Sequence, residues 1–114
     1  MEIVNLTPHD LTVVRDGEVI LSVEPSGQLA RCVQKITLSD PVNIEGVLVP
    51  GGYNTFGEIS GLPERAEGKL FFVSILVAKA AWEIGRDDVI APLSTVKDDN
   101  GKIIGASGLA FMPR

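Results

Sequence analysis

The stretch KLFFVSILVAKAAWEIG, residues 69–85, decides the fold of this chain. Its opening residues form a continuous apolar run after the lysine, which is typical of a central strand that is buried on both faces. The residues that follow are rich in Leu, Ala and Lys, and these favour a helix over 75–84. Ser74 can cap the N-terminus of this helix, and Gly85 can end it in a left-handed conformation.

The predicted helix is apolar on almost every side. Only Lys79 and Glu83 interrupt it, so we expect it to lie in a core or at a subunit interface. Because such a helix is hard to bury inside so short a chain, the sequence favours a homo-oligomer, and closed symmetric assemblies are common.

The rest of the chain reads as short strands separated by glycine and proline turns. Strands are expected at 2–6 and 11–15 around a turn at Pro8, then at 19–23, 27–40, 41–50 and 86–92, with a hairpin at 94–112 around Asn100-Gly101. The strand at 41–50 is interrupted by Gly46. Residues 50–68 carry many glycines and prolines and are expected to be the longest irregular stretch. The prediction is a single α+β domain over 1–114. About eight mostly antiparallel strands form a partly closed barrel or a curved sheet around one helix near 75–84.

Composition narrows the functional classes. The formal net charge of −5 argues against binding nucleic acid as a polymer, because phosphate backbones attract basic surfaces. A single cysteine suits a reducing compartment, and residues 1–15 show no signal-peptide pattern. No apolar run is long enough to span a bilayer, so a cytoplasmic protein without a membrane partner is expected.

Metal and catalytic sites have little support. Zinc sites need several Cys or His ligands, and this chain has one of each, so we assign no metal, no cofactor and no catalytic residue. A nucleophile pair of Cys32 and His9, oriented by Asp10 or Asp87, is the alternative. It is not favoured, because Cys32 lies on the apolar face of its predicted strand, where a thiol is usually inert.

The only histidine stands in NLTPHD, residues 5–10, where Pro8 holds the backbone rigid. His9 either donates a hydrogen bond to a ligand or is a turn histidine satisfied by the backbone or by Asp10. Ser74 is either a plain helix cap or part of an anion site at the helix N-terminus, where free N–H groups and the helix dipole both favour negative charge.

A second group of candidates is charged or aromatic. Arg86, with Asp87 and Asp88 beside it, can bind phosphate or a sugar hydroxyl, or can instead hold the turn after the helix. Arg31 and Lys35 share one strand face and can line an anion pocket, although such residues are usually solvated. The candidate stacking aromatics are Tyr53, Phe56 and Trp82.

Three segments carry a resemblance to a family: NLTPHDLTV, FVSILVAKAA and RDDVIAPLSTVKDDNGKIIGASGL. They resemble a group of uncharacterised small proteins from bacteria and their phages. These typically begin with Asn-Leu-Thr-Pro-His and end with an Arg-Asp-Asp segment and a glycine hairpin. The resemblance implies that His9, Ser74 and the Arg86–Asp88 segment are motif positions. The chain departs from the pattern at Ala106, where a cysteine is expected in many relatives, which weakens any cysteine-based site there.

Three functions follow from these observations. The favoured one is a non-enzymatic binding module that holds a small anionic molecule, such as a nucleotide, among His9, Arg31, Lys35, Tyr53, Ser74, Arg86, Asp87 and Asp88. By analogy with small phage proteins, it would sequester a nucleotide signal of host immunity in the host cytoplasm. The alternatives are a phage structural or host-inhibiting interaction protein, and a small hydrolase that uses His9.

Overall fold

The computed structural model describes the backbone of residues 1–114 and every side chain except that of Phe56. The fold is α+β, as predicted. It consists of one helix, α1 (Ile75–Glu83), and the following strands: β1 (Glu2–Asn5), β2 (Leu11–Arg15), β3 (Glu18–Val23), β4 (Arg31–Leu38), β5 (Val42–Ile44), β6 (Val47–Val49), β7 (Gly52–Ser60), β8 (Lys69–Phe72), β9 (Val89–Pro92), β10 (Thr95–Lys97), β11 (Ile103–Ala106) and β12 (Leu109–Ala110).

The segment that follows Gly68 forms the centre of the molecule. Strand β8 lies inside a sheet of order β1-β8-β9-β12, parallel to both β1 and β9. Phe71 and Val73 pack in one hydrophobic cluster with the helix, whereas Phe72 packs in a second cluster with Leu11 and Ile90. The apolar run is therefore a central strand with both faces buried, as predicted.

The two clusters lie on opposite faces of this central sheet. One face is covered by α1. The other is covered by a second sheet of order β10-β11-β2-β3, which contributes Leu11 and Val13. Five of the eight strand pairings in the molecule are antiparallel, which agrees with the predicted mostly antiparallel arrangement.

The helix begins and ends where the sequence predicts. The Ser74 hydroxyl accepts a hydrogen bond from the Val77 amide at 3.4 Å, and Gly85 follows the helix with φ +85°. The Trp82 indole donates to the carbonyl of Val89 at 2.9 Å, which ties α1 to β9. Val77, Ala78 and Ala81 are buried. By contrast Ile75, Leu76 and Ile84 are 44%, 43% and 71% exposed. The helix is therefore buried on one face only, and the subunit interface expected on it remains a prediction.

Three structural predictions are not confirmed. The strands number twelve rather than about eight, and they form four sheets, with no closed barrel in the part of the chain that is described. Residues 41–50 are predicted as a strand interrupted by Gly46, and the interruption is a tight turn at Glu45 (φ 50°) and Gly46 (φ 84°) that makes the segment a hairpin, β5–β6. The region 50–68 contains β7, a nine-residue strand rather than an irregular stretch.

Strand β7 exists because it has a partner. It pairs antiparallel with β4 from Arg31–Ser60 to Leu38–Gly52, with one irregularity between Cys32 and Gln34. Its glycines and asparagine weaken the local preference for a strand, and backbone pairing with a long partner outweighs that preference.

The β4–β7 pair continues into β5–β6 and forms an arm, which we define as residues 33–55. The amide of Ser39 donates to the carbonyl of Gly51 at 2.9 Å and joins the two hairpins into one long ribbon. The arm extends away from the core, and the radius of gyration is 17.8 Å, against about 13 Å for a compact chain of this length. Within the described residues, no helix has the length and apolar content needed to cross a bilayer.

Candidate ligand-binding cleft

The side chain of Asn5 organises the turn that follows β1. Asn5 is the one buried polar residue of the described core and is 1% exposed. Its amide nitrogen donates to the carbonyl of His9 at 2.8 Å and to the carbonyl of Val23 at 3.0 Å. Its amide oxygen accepts from the Thr7 amide at 3.0 Å and from the Thr7 hydroxyl at 2.7 Å. Both donors and both acceptor positions of one buried amide are used, as burial of a polar group requires.

These bonds, here called the Asn5 network, bring distant segments together. Asn5 ends β1 in the central sheet, while Val23 ends β3 in the second sheet. The Thr7 hydroxyl also lies 3.0 Å from the carbonyl of His9, within the same turn. The network therefore fixes the backbone of residues 5–9 and sets the position of His9.

His9 itself has a free imidazole. The residue is exposed, and only its backbone takes part in the network. Among the described side chains, none hydrogen-bonds the ring, Asp10 included. The alternative in which Asp10 satisfies the imidazole is therefore not what the structure shows, and the ring is available to a ligand.

His9 lines a cleft of about 310 Å³ between the two sheets. Its apolar floor includes Phe72, Val73 and Ala106. Its polar groups stand at the rim and are Thr7, His9, Asp10, Thr12, Ser74 and Thr95. A mainly apolar hollow with a few convergent polar groups is the usual form of a small-molecule site, and this volume lies at the small end of the range of about 300–1,000 Å³.

The N-terminus of α1 opens onto the same cleft. Ser74, its cap, is a lining residue, and the first turn of any helix leaves backbone N–H groups without helical partners. The structure thus brings together His9 and Ser74, two of the residues that the sequence singles out. The cleft can offer an imidazole and hydroxyl groups to an anion, with the positive end of the helix dipole nearby.

Arg86 lies elsewhere, beside the C-terminus of the helix. Its guanidinium donates two bonds of 2.9 Å to the carboxylate of Asp88 and one of 2.8 Å to the carbonyl of Pro63. The side chains of Arg86 and Asp88 are 17% and 11% exposed. Hydrogen bonds from Arg86 hold the pKa of Asp88 below its ordinary value, although burial acts in the opposite direction.

Asp87 also has a protein partner. It forms an exposed ion pair with Arg65, whose guanidinium also donates to the carbonyl of Gly85 at 2.6 Å. The Arg86–Asp88 segment therefore fastens the turn after α1 to the 63–65 segment. The alternative in which Arg86 bonds the last carbonyls of the helix is not what the structure shows, since Arg86 bonds Asp88 and Pro63, and Arg65 bonds the carbonyl of Gly85. A role of these residues in ligand binding remains a prediction.

The remaining candidates do not gather around the cleft either. Arg31 and Lys35 are exposed on β4, and Tyr53 is 64% exposed on β7. Phe56 lies outside the described side chains, and Trp82 is engaged with β9. The cleft is lined instead by residues of the β1–β2 turn, the start of α1, and strands β10 and β11.

The catalytic and metal alternatives gain no support. Cys32 packs against the core cluster that contains Leu6 and Phe71, whereas His9 lines the cleft, and no hydrogen bond joins the two among the described groups. The described His, Cys, Asp and Glu residues include no cluster of three that could hold a metal ion.

Sequence reasoning missed the part played by Asn5 and Thr7. The signal was present, because an asparagine two residues before a threonine is typical of a turn in which the side chain bonds the backbone. What no local pattern shows is the bond to Val23, which depends on how β3 returns against β1. Comparison with other proteins adds no assignment, since no family model, curated protein or solved structure matches this chain.

Replacing Asn5 by Ala should lower the free energy of unfolding by about 3 kcal/mol. The change removes the Asn5 donor from the partly buried carbonyls of His9 and Val23 and the acceptor of the Thr7 amide, each at a cost of about 1–3 kcal/mol before relaxation and water entry. Urea unfolding measures the loss. The matched control is Asn100→Ala, because Asn100 is exposed and only its backbone amide makes a hydrogen bond among the described groups, so its loss should cost under about 1 kcal/mol. Equal losses in the two variants would contradict the structural role of Asn5.

Asp88→Asn should change how the free energy of unfolding depends on pH. Because the pKa of Asp88 is lowered in the folded chain, its contribution is complete above the ordinary carboxyl pKa of about 3.9. That contribution is lost as the pH falls through the lower, folded-state value. We expect Asp88→Asn to be destabilised at pH 7 and to lose less stability than the wild type on acidification. The exposed Asp99→Asn is the control, and identical acid profiles for Asp88→Asn and the wild type would overturn the assignment.

Proposed function

We propose that this protein is a non-enzymatic binding protein that holds a small anionic molecule in the cleft beside His9. One observation carries the proposal. The free imidazole of His9, positioned by the Asn5 network, lies on the same hollow as the N-terminus of α1. Both groups suit an anion, and the apolar floor suits a flat or aliphatic body attached to it.

The rim favours a ligand with more than one kind of polar group. His9 and the helix start can donate to a phosphate or carboxylate. Asp10, on the same rim, accepts hydrogen bonds and would repel a second negative group. A ligand with an anionic end and hydroxyl or amino donors at the other satisfies both. A mononucleotide fits this description, because it combines phosphate, sugar hydroxyls and an apolar base face.

The proposed role is sequestration. A binder without catalytic groups holds its ligand unchanged, and the resemblance to small phage proteins favours a nucleotide signal of host immunity as the ligand. On this proposal the protein acts in the cytoplasm of the host cell and lowers the free concentration of the signal by binding it. A cleft of about 310 Å³ suits one small molecule better than a polymer.

Isothermal titration calorimetry against mononucleotides, cyclic dinucleotides, the matching nucleosides and inorganic phosphate tests this proposal. We expect at least one nucleotide to bind and its nucleoside to bind much more weakly. His9→Ala should weaken the nucleotide about tenfold, the value of one hydrogen bond to a charged group. The imidazole makes no contact that the fold needs, so this variant should retain the wild-type unfolding midpoint.

The matched control is Arg15→Ala, which removes an exposed cation at the end of β2, outside the cleft lining. It should leave the affinity within about twofold, because a distant surface charge is screened by salt. The proposal would be contradicted if none of the titrated compounds bound and the mass spectrum of the purified protein showed no small molecule. An equal loss in both variants would show that general charge, not the cleft, attracts the ligand.

A further inference from the structure

The arm, residues 33–55, is a two-stranded ribbon whose large apolar side chains face solvent. Nine of them are between 37% and 77% exposed: Val33, Ile36, Leu38, Val42, Ile44, Val47, Leu48, Val49 and Tyr53. A two-stranded hairpin is marginally stable in water and normally needs a third strand or a packed face. In the described chain no further strand pairs with the outer edges of β4 or β7. The ribbon therefore lacks its expected cover.

The exposed area corresponds to that of a stable protein interface. At roughly 70 Å² of apolar surface for each side chain, the arm presents about 600 Å² per chain. A standard interface buries about 800 Å² per partner, and about 57% of it, or roughly 450 Å², is apolar. Counted over both faces of the ribbon, with Val42 and Ile44 on one face and Leu48 on the other, the arm supplies apolar surface comparable to that of one side of a standard interface.

The composition of the arm is typical of a permanent interface. Only Lys35, Asp40 and Glu45 are charged in its 23 positions, whereas 22% of the whole chain is charged. Depletion of charge with retention of aliphatic and aromatic groups marks the cores of obligate homodimer interfaces. A free monomer with such a surface would be prone to aggregate, because open apolar strand edges pair with other chains.

The order of charges favours a second copy of the same chain. Lys35 lies near the root of the ribbon, while Asp40 and Glu45 lie toward its tip. When two identical ribbons pack antiparallel around a two-fold axis, the root of each meets the tip of the other. Lys35 of one chain then faces the acidic end of its partner, and each open strand edge faces an identical edge in the antiparallel sense. The arm is complementary to itself.

We propose that the arm is an oligomerisation element, and that in solution the arms of two copies pack antiparallel and bury each other's apolar side chains. The inference does not depend on the ligand of the cleft, because none of the described residues of the arm lines the cleft. It adds the arm to α1 as a second exposed apolar surface from which the predicted homo-oligomer can form.

Sedimentation equilibrium of the purified full chain tests the proposal. We expect the wild type to show a mass of two chains of 12.1 kDa, or a multiple of two, at micromolar concentration. Leu38→Asp and Leu48→Asp, at positions 77% and 68% exposed, should each shift the mass to that of one chain. Circular dichroism of the variants should match the wild type, because neither side chain contributes to the core.

The matched control is Val19→Asp, since Val19 is 60% exposed on β3, outside the arm. It should leave the wild-type mass unchanged. Hydrogen exchange of the wild type gives a test without substitutions. Amides of residues 33–55 should be protected at high protein concentration and lose protection on dilution, while core amides do not change. A wild-type protein that is monomeric at every concentration, or one that stays associated in both arm variants while they remain folded, would overturn the proposal.

Discussion

The structure depends on one buried amide. Asn5 stands where the central sheet, the second sheet and the turn that presents His9 meet, and all of its hydrogen-bonding capacity is used inside the protein. A buried polar group is costly unless it is satisfied, so this side chain tolerates only one arrangement of the strands around it. The bond to Val23 keeps β3 beside β1, and the bonds to Thr7 and His9 set the turn between β1 and β2.

Structure and proposed function meet at this turn. The same Asn-Leu-Thr-Pro-His segment that joins the sheets leaves the imidazole of His9 free at the rim of the cleft. The segment from Arg86 to Asp88 has a comparable structural role at the far end of the helix, where it fastens a turn to the 63–65 segment. Both segments thus hold turns in place, and the first of them also presents His9 at the cleft that Ser74 lines.

Sequence patterns predicted the centre of the fold well and its periphery poorly. The apolar run, Ser74 and Gly85 define the central strand and the helix because burial and capping are local or periodic signals. Strand β7 was missed because its glycines and asparagine have low strand propensity, and only its pairing with β4, which local sequence does not show, makes it a strand. The cleft was half predicted. His9 and Ser74 share it, but the contribution of β10 and β11, like the pairing of Arg86 with Asp88, depends on tertiary arrangement that spacing does not encode.

The most direct test of this account is the exchange rate of the Asn5 side-chain amide protons, measured by nuclear magnetic resonance. Both protons are donated to carbonyls at a residue that is 1% exposed, so we predict exchange slowed nearly as far as that of the core backbone amides. The side-chain amide of Asn100, exposed and outside the arm, provides the unprotected reference in the same spectrum. Exchange of the Asn5 protons at the rate of Asn100 would contradict the claim that the Asn5 amide holds the sheets and the His9 turn together.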